Sequence, residues 1–267
     1  MQLTIDGAKF DVLDAGRGPA IVLLHGFPLA KEIWDETAQS LTAQARIVRF
    51  DLRGMGATTV TGGPYLMEQL AGDVAEILDA LGIERAAIVG HSLGGYVALA
   101  FFRMFSERCL GLGFVCSRAG ADGAAAAANR LALADRAESE GMAPVVEAFV
   151  PRYFAPRVYA ERPDLVERAT ALVRRTDPRG AAAMLRGMAA RVGSEDLFEE
   201  MKLPVTVVAG SQDVLVTLEE ARIIADGVPG SRLDVLDCGH SPFYETPLAL
   251  TSSLQRFAVA IGSEVTL

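Results

Sequence analysis

The segment Ala86-Ala87-Ile88-Val89-Gly90-His91-Ser92-Leu93-Gly94-Gly95 constrains this chain more than any other. An apolar run of strand character ends at a serine with glycine two residues before it and two after it. That spacing fits a sharp turn from a strand into a helix, a nucleophile elbow, in which the serine backbone is strained and its hydroxyl is lifted clear of the sheet. Neighbours at minus two and plus two must be small, and Gly90 and Gly94 meet that demand. Such a turn calls for a sheet beneath the serine and helices around it.

The rest of the chain supplies them. Short runs rich in Val, Ile and Leu alternate with helical patterns, as in a doubly wound, mostly parallel sheet covered on both faces. Strands are expected at 20–24, 46–50, 86–89, 110–115, 205–209 and 232–236. The opening differs: residues 3–6 and 9–14 read as two strands joined near Asp6-Gly7, an antiparallel hairpin at one edge. The expectation is therefore an α/β chain with an eight-stranded sheet. A 3.6-residue apolar stripe (Leu66, Leu70, Val74, Ile77, Leu78, Leu81) predicts a helix stopped by Gly82. Thr217 with Glu220 forms a capping box before a helix at 218–225, and Pro247 opens a last helix running to about Ala260.

Between Ser117 and about Glu200 the alternation stops, and the stretch reads as helices at 124–141, 144–149, 165–174 and 181–192. This predicts a core of residues 1–117 and 201–267, with 118–200 laid over the strand ends as a helical lid. Residues 118–193 hold 12 arginines, no lysine and 9 acids, a net +3 against −12 for the remainder. Arginine facing a pocket could attract an anionic substrate, but the plainer reading is solvated helix faces. Met184 and Met188, four apart, read as core of the insert rather than as substrate contacts.

Half of the residues are hydrophobic, enough for one large core in a chain of 267, and no apolar run approaches a membrane span. The first residues lack the layout of a secretory signal, so a cytoplasmic protein is expected. Cys109, Cys116 and Cys238 are too few and too scattered for a disulfide framework or a metal site. A net charge of −9 argues against nucleic acid as a partner. No GxGxxG or GxxxxGK[ST] phosphate loop occurs. Nothing in the sequence sets an oligomeric state.

A serine hydroxyl needs a base, and the base needs a group to orient it. Of the three histidines, His91 adjoins Ser92 and on a tight turn points away from the hydroxyl, and His25 in His25-Gly26-Phe27-Pro28 reads as ordering its loop. His240 follows the last strand and emerges at the carboxyl edge where Ser92 stands. Asp213 follows the strand at 205–209 and fits as the third member, with Asp237 its rival; Asp51 reads as structural, pairing with Arg53 or nearby backbone. Donors for an oxyanion are expected from the backbone N–H of Leu93 and of Phe27, since Pro28 has none.

These motifs, His25 to Pro28, Asp51 to Gly56, Gly90 to Gly95, Asp213 and His240, resemble the α/β-hydrolase-fold serine hydrolases, whose triad runs Ser, Asp, His along the chain. The stretch 210–247, with Val228-Pro229-Gly230-Ser231 and Glu245-Thr246-Pro247, is similar to the branch of 3-oxoadipate enol-lactonases, small carboxylesterases and cofactor-free perhydrolases. The resemblance implies hydrolysis of a small-molecule ester or lactone through an acyl-enzyme on Ser92, without cofactor or metal. C–C bond hydrolysis and perhydrolysis are alternatives on the same triad, and a slow-turnover ligand sensor is a reading of another kind. Haloalkane dehalogenases and epoxide hydrolases carry Asp at the elbow, where this chain has Ser92.

Overall fold

The structure is a computed structural model, and it describes residues 1–265. Strands β1 (Gln2–Ile5) and β2 (Ala8–Asp11) form a hairpin whose turn residues Asp6 and Gly7 both take positive φ, 42° and 75°. Asp-Gly tolerates that conformation best, which is why the dipeptide marks the turn.

After the buried Val12 the chain breaks its pairing and begins β3 (Leu13–Gly16), followed by β4 (Ala20–Leu24), helix α1 (Asp35–Leu41), β5 (Arg46–Arg49), α2 (Met67–Ala80), β6 (Ala86–His91), α3 (Leu93–Phe105) and β7 (Cys109–Val115). Five helices come next: α4 (Ala124–Glu140), α5 (Ala143–Phe149), α6 (Pro156–Glu161), α7 (Pro163–Arg175) and α8 (Pro178–Ala190). The chain then returns through β8 (Val205–Gly210), α9 (Leu218–Gly227), β9 (Arg232–Leu236), α10 (Pro242–Glu245) and α11 (Pro247–Val265).

The sheet order is β3-β5-β4-β6-β7-β8-β9, with β3 antiparallel to β5 and every other pairing parallel. The central sheet therefore has seven strands among the described residues, not eight. The correction comes from the hairpin: β1 and β2 pair only with each other, and the run 9–14 splits at Val12, its second half joining β5. Every residue of β4, β6 and β7 is buried, because helices cover both faces of the centre. The edge strand β3 is exposed throughout.

The helices follow their apolar stripes. In α2, Leu70, Val74, Ile77 and Leu78 are fully buried, while Leu66 caps the helix from outside and is exposed. The Thr217–Glu220 capping box forms at α9, the threonine hydroxyl accepting from the Glu220 amide at 3.2 Å and Glu220 accepting from the Thr217 amide at 2.9 Å. Helix α11 runs past the expected end at Ala260. Pro156 and Pro163 divide the insert further than the apolar pattern indicates, each opening a helix. No described helix is long and apolar enough to cross a membrane.

Candidate active site

The carboxyl ends of β4, β6, β8 and β9 lie along one edge of the sheet, with β7 between β6 and β8, so the loops that follow them open on the same side. Ser92 sits between β6 and α3 with φ 49° and ψ −111°, a strained conformation for a residue with a side chain. The turn is tight: a Cβ on Gly90 would lie 2.0 Å from the Gly94 carbonyl carbon, and one on Gly94 would lie 2.5 Å from the Leu24 carbonyl oxygen. The serine backbone is tied on both sides, its N–H donating to Val115 O at 2.9 Å and its carbonyl accepting from Ser117 Oγ at 2.8 Å.

Asp213 and His240 meet. His240 Nδ1 donates to Asp213 Oδ2 at 2.7 Å, and both residues are buried. The other carboxylate oxygen accepts from the Leu215 and Val216 amides at 2.8 and 3.0 Å, so Asp213 cannot swing away from the imidazole. With Nδ1 carrying its proton, a neutral His240 presents a bare Nε2, which is the atom a base needs. No hydrogen bond joins the Ser92 hydroxyl to His240; the two face each other across a cavity of about 40 Å³ that both line, together with Phe27, Met188, Arg118 and Arg130.

The rival carboxylate lies elsewhere. Asp237 is exposed and engaged with Arg157 at 2.8 Å and Gln212 at 2.7 Å. Asp51 is buried and structural, accepting from the Lys31 and Ala57 amides and from Lys31 Nζ. Of the two pairings expected for Asp51, the one with nearby backbone forms, whereas Arg53 makes a buried pair with Asp73. Burial pushes the Asp51 carboxyl up, but the neighbouring His25 imidazole and the hydrogen bonds from Ala57 and Lys31 outweigh it and hold it below its usual range.

His25 and His91 are both buried and both bonded to backbone. His25 Nδ1 donates to Gly26 O at 2.9 Å while Nε2 accepts from the Leu52 amide at 2.9 Å, which orders the loop after β4 against the one after β5. Burial lowers its pKa. His91 Nε2 donates to the carbonyl of His240 at 2.8 Å, and burial, with the neighbouring His240, drives the His91 imidazole well below its ordinary value. His91 is thus a neutral brace behind His240, a role its position beside Ser92 does not reveal.

Neither Phe27 nor Leu93 donates its N–H to an acceptor among the described residues. Phe27 borders the cavity; Leu93 is the first residue of α3, where the helix dipole favours negative charge.

Three further residues belong to this arrangement, and the roles of Tyr153 and Glu245 are silent in the sequence. Tyr153, from the insert, donates its hydroxyl to Phe27 O at 2.9 Å and accepts the His240 N–H on its own carbonyl at 2.9 Å. Glu245 spans the amides of Gly239 and Ala155, each at 2.9 Å, and ties the His240 loop to the insert. Met188, expected as core of the insert, is buried but also lines the cavity, whereas Met184 is core alone.

Cys116 Sγ, an Asp213 carboxylate oxygen and a ring nitrogen of His240 lie within 4.8 Å of one another. Burial pushes the Cys116 thiol well up, so it stays protonated, and the oxygens of Asp213 already accept three hydrogen bonds; the trio fits a hydrogen-bonded group better than a metal-ligand set.

The cavity also has a cationic lining, from Arg118 and Arg130. Arg118, Arg130 and Arg191 surround the buried carboxylate of Asp122, with Arg118 at 2.6 Å and Arg191 at 2.9 Å, and Arg118 also reaches Glu220. Burial raises the Asp122 carboxyl, but the guanidinium groups outweigh that and hold it below its usual range.

Residues 19–247 match the family model described as the alpha/beta hydrolase fold. Over 237 residues, covering 89% of this chain and 87% of the relative, the sequence is 26% identical to 3-oxoadipate enol-lactonase 2 of Acinetobacter baylyi. Among solved structures, a malate-bound thermophilic esterase from Thermogutta terrifontis superposes with a TM-score of 0.95 at 31% identity, over 98% of this chain and 99% of that one. The enol-lactonase from Burkholderia xenovorans superposes with a TM-score of 0.90 at 26% identity, over 97% and 100%. With an elbow, an Asp–His pair and a crevice at the strand ends set in this topology, the chain belongs to the alpha/beta hydrolase fold family.

Proposed function

We propose that this protein is a serine hydrolase that cleaves a small-molecule carboxylic ester or lactone through an acyl-enzyme. The observation that carries the reading is the 2.7 Å bond from His240 to a fully anchored Asp213, across the cavity from a serine held in strained backbone. The likeness to an esterase and to enol-lactonases supports the same reading.

In this mechanism Ser92 Oγ attacks the carbonyl carbon while His240 Nε2 takes the hydroxyl proton. The N–H groups of Phe27 and Leu93 receive the oxyanion, a form of stabilisation for which one donor is typically worth about 3 to 4 kcal/mol. The carbonyl-to-oxygen bond breaks, and the leaving oxygen takes the proton from His240. Water then attacks the acyl-enzyme, giving its proton to His240, and the acid departs as Ser92 recovers its hydroxyl proton. Asp213 keeps Nδ1 protonated throughout and stabilises the imidazolium. Residues of the insert, Tyr153 and Met188 among them, close the crevice as a lid.

Two measurements test this. Incubation with a fluorophosphonate followed by peptide mass mapping should place the adduct on Ser92, and Ser92→Ala should abolish turnover of 4-nitrophenyl acetate and of a simple lactone with an unchanged circular dichroism spectrum. Wild-type turnover by Ser92→Ala would overturn the assignment.

A further inference from the structure

The cavity at Ser92 holds about 40 Å³, room for roughly three water molecules and not for a whole ester. Beyond it, between α4, α5 and α8, lies a second space of about 400 Å³, within the range of small-molecule sites. The two spaces share Arg130, Phe149 and Leu215, which form a neck between them. A substrate with its carbonyl at Ser92 must therefore pass the neck and place its remaining arm in the outer space.

The outer space has apolar walls, among them Leu133, Ala148 and Leu185, and its charged lining residues are Arg130, Arg136 and Arg152. No carboxylate lines either space. Two of the three guanidiniums are under-used. Arg152 lies over the Phe149 ring at 5.7 Å and gives Nε and Nη2 to the Ala148 carbonyl, with no acidic partner and no acceptor for Nη1 among the described residues. Arg130 engages Asp122 through Nε and rests Nη1 on Met188 Sδ at 3.7 Å, leaving Nη2 without an acceptor among the described residues. Arg136 is occupied by Glu140. Arg118, Arg130 and Arg191 against Asp122 and Glu220 also leave the neck one positive charge in excess.

The geometry points to a substrate whose acyl arm is an apolar chain ending in a carboxylate: the chain passes between Phe149 and Leu215, and the carboxylate is bound by Arg152 at the outer end with Arg130 at the neck. The Arg fork suits a carboxylate, and the partial burial of Arg130 at the neck strengthens its share of the pairing over one in open water. This rests on the serine hydrolase reading and extends it to the class of acid released, a dicarboxylic acid from its half-ester.

The test compares mono-4-nitrophenyl esters of the C4 to C8 linear dicarboxylic acids with the same compounds methylated at the free carboxylate. At one chain length or more, kcat/KM for the free acid should exceed that of its methyl ester by at least tenfold, mostly through KM, and the advantage should shrink with added salt. R152Q should lower this ratio about tenfold and R152E further; Arg152 is exposed and carries no ion pair, so neither change should threaten the fold. Equal turnover of acid and methyl ester, or a preference that R152Q and R152E leave intact, overturns the proposal while the hydrolase reading stands. If no ester is turned over in a Ser92-dependent way, the hydrolase reading fails instead, and calorimetric titration with the free C4 to C8 dicarboxylates decides: binding weakened by R152E supports the arginine site, and no binding overturns it.

Discussion

The hydroxyl of Tyr153 donates a 2.9 Å hydrogen bond to the carbonyl of Phe27, 126 residues away, while the Tyr153 carbonyl accepts from the N–H of His240. One residue of the insert thus spans the loop that carries Phe27 and the loop that carries His240. Tyr153→Phe removes the donor and leaves a buried carbonyl unsatisfied, which costs about 1 to 3 kcal/mol. The expected outcome is a lower urea midpoint by that amount, with kcat for an ester reduced about tenfold and KM little changed. A variant as stable and as fast as wild type would show that the bracket does not position the site.

Asp213→Asn keeps the size and the backbone bonds to Leu215 and Val216 but offers an amide N–H where Oδ2 accepts from His240. The imidazole would then turn its bare nitrogen toward Asn and its protonated one toward Ser92. Ester turnover should fall by about 10³ to 10⁴-fold with thermal stability nearly preserved. A loss of only a few fold in steady-state kinetics would remove Asp213 from the orienting role.

His25 and His91 are neutral in the fold because burial lowers both imidazoles, His91 most strongly. In the unfolded chain each has a pKa of about 6.5. Above that pH neither form binds the proton and these groups leave stability unaffected; as pH falls below it, the unfolded chain takes up protons that the fold excludes. Stability should therefore drop between pH 7.5 and pH 5.5, by up to about 1.4 kcal/mol per pH unit for each histidine. Urea unfolding at a series of pH values measures this, and His25→Gln should flatten the slope. A stability that holds or rises over that interval would refute it.

Gly90→Ala places a methyl group 2.0 Å from backbone of the following helix, where no side chain can move aside. The elbow must open, at a cost of at least about 1 to 3 kcal/mol. Purified variant should show a lower melting temperature and little reaction with a fluorophosphonate at Ser92. Full labelling at wild-type stability would mean that the turn is not as tight as the backbone indicates.

Much of this molecule follows from local pattern. Doubly buried strands read as unbroken Val, Ile and Leu runs, the α2 stripe repeats every 3.6 residues, and the glycines around Ser92 answer a steric demand within one turn. Chain order then puts the residues after β4, β6, β8 and β9 at one edge, because parallel strands all end on the same side. Where the pattern was ambiguous it misled: residues 9–14 read as one strand, and only pairing partners divide them at Val12 between the hairpin and β5.

What the sequence by itself determined is the class of fold, the elbow, and the residues that chain order places at the crevice. Tertiary structure decided the rest: that Asp213 and not Asp237 reaches His240, that His91 braces it from behind, that Tyr153 joins two distant loops, and that Arg118, Arg130, Arg136 and Arg152 line the route to Ser92 while the other eight arginines of the insert do not. The reason is physical. Periodicity sets which residues share a face of a helix or strand, but the partner against which that face turns is chosen by packing between segments far apart in the chain.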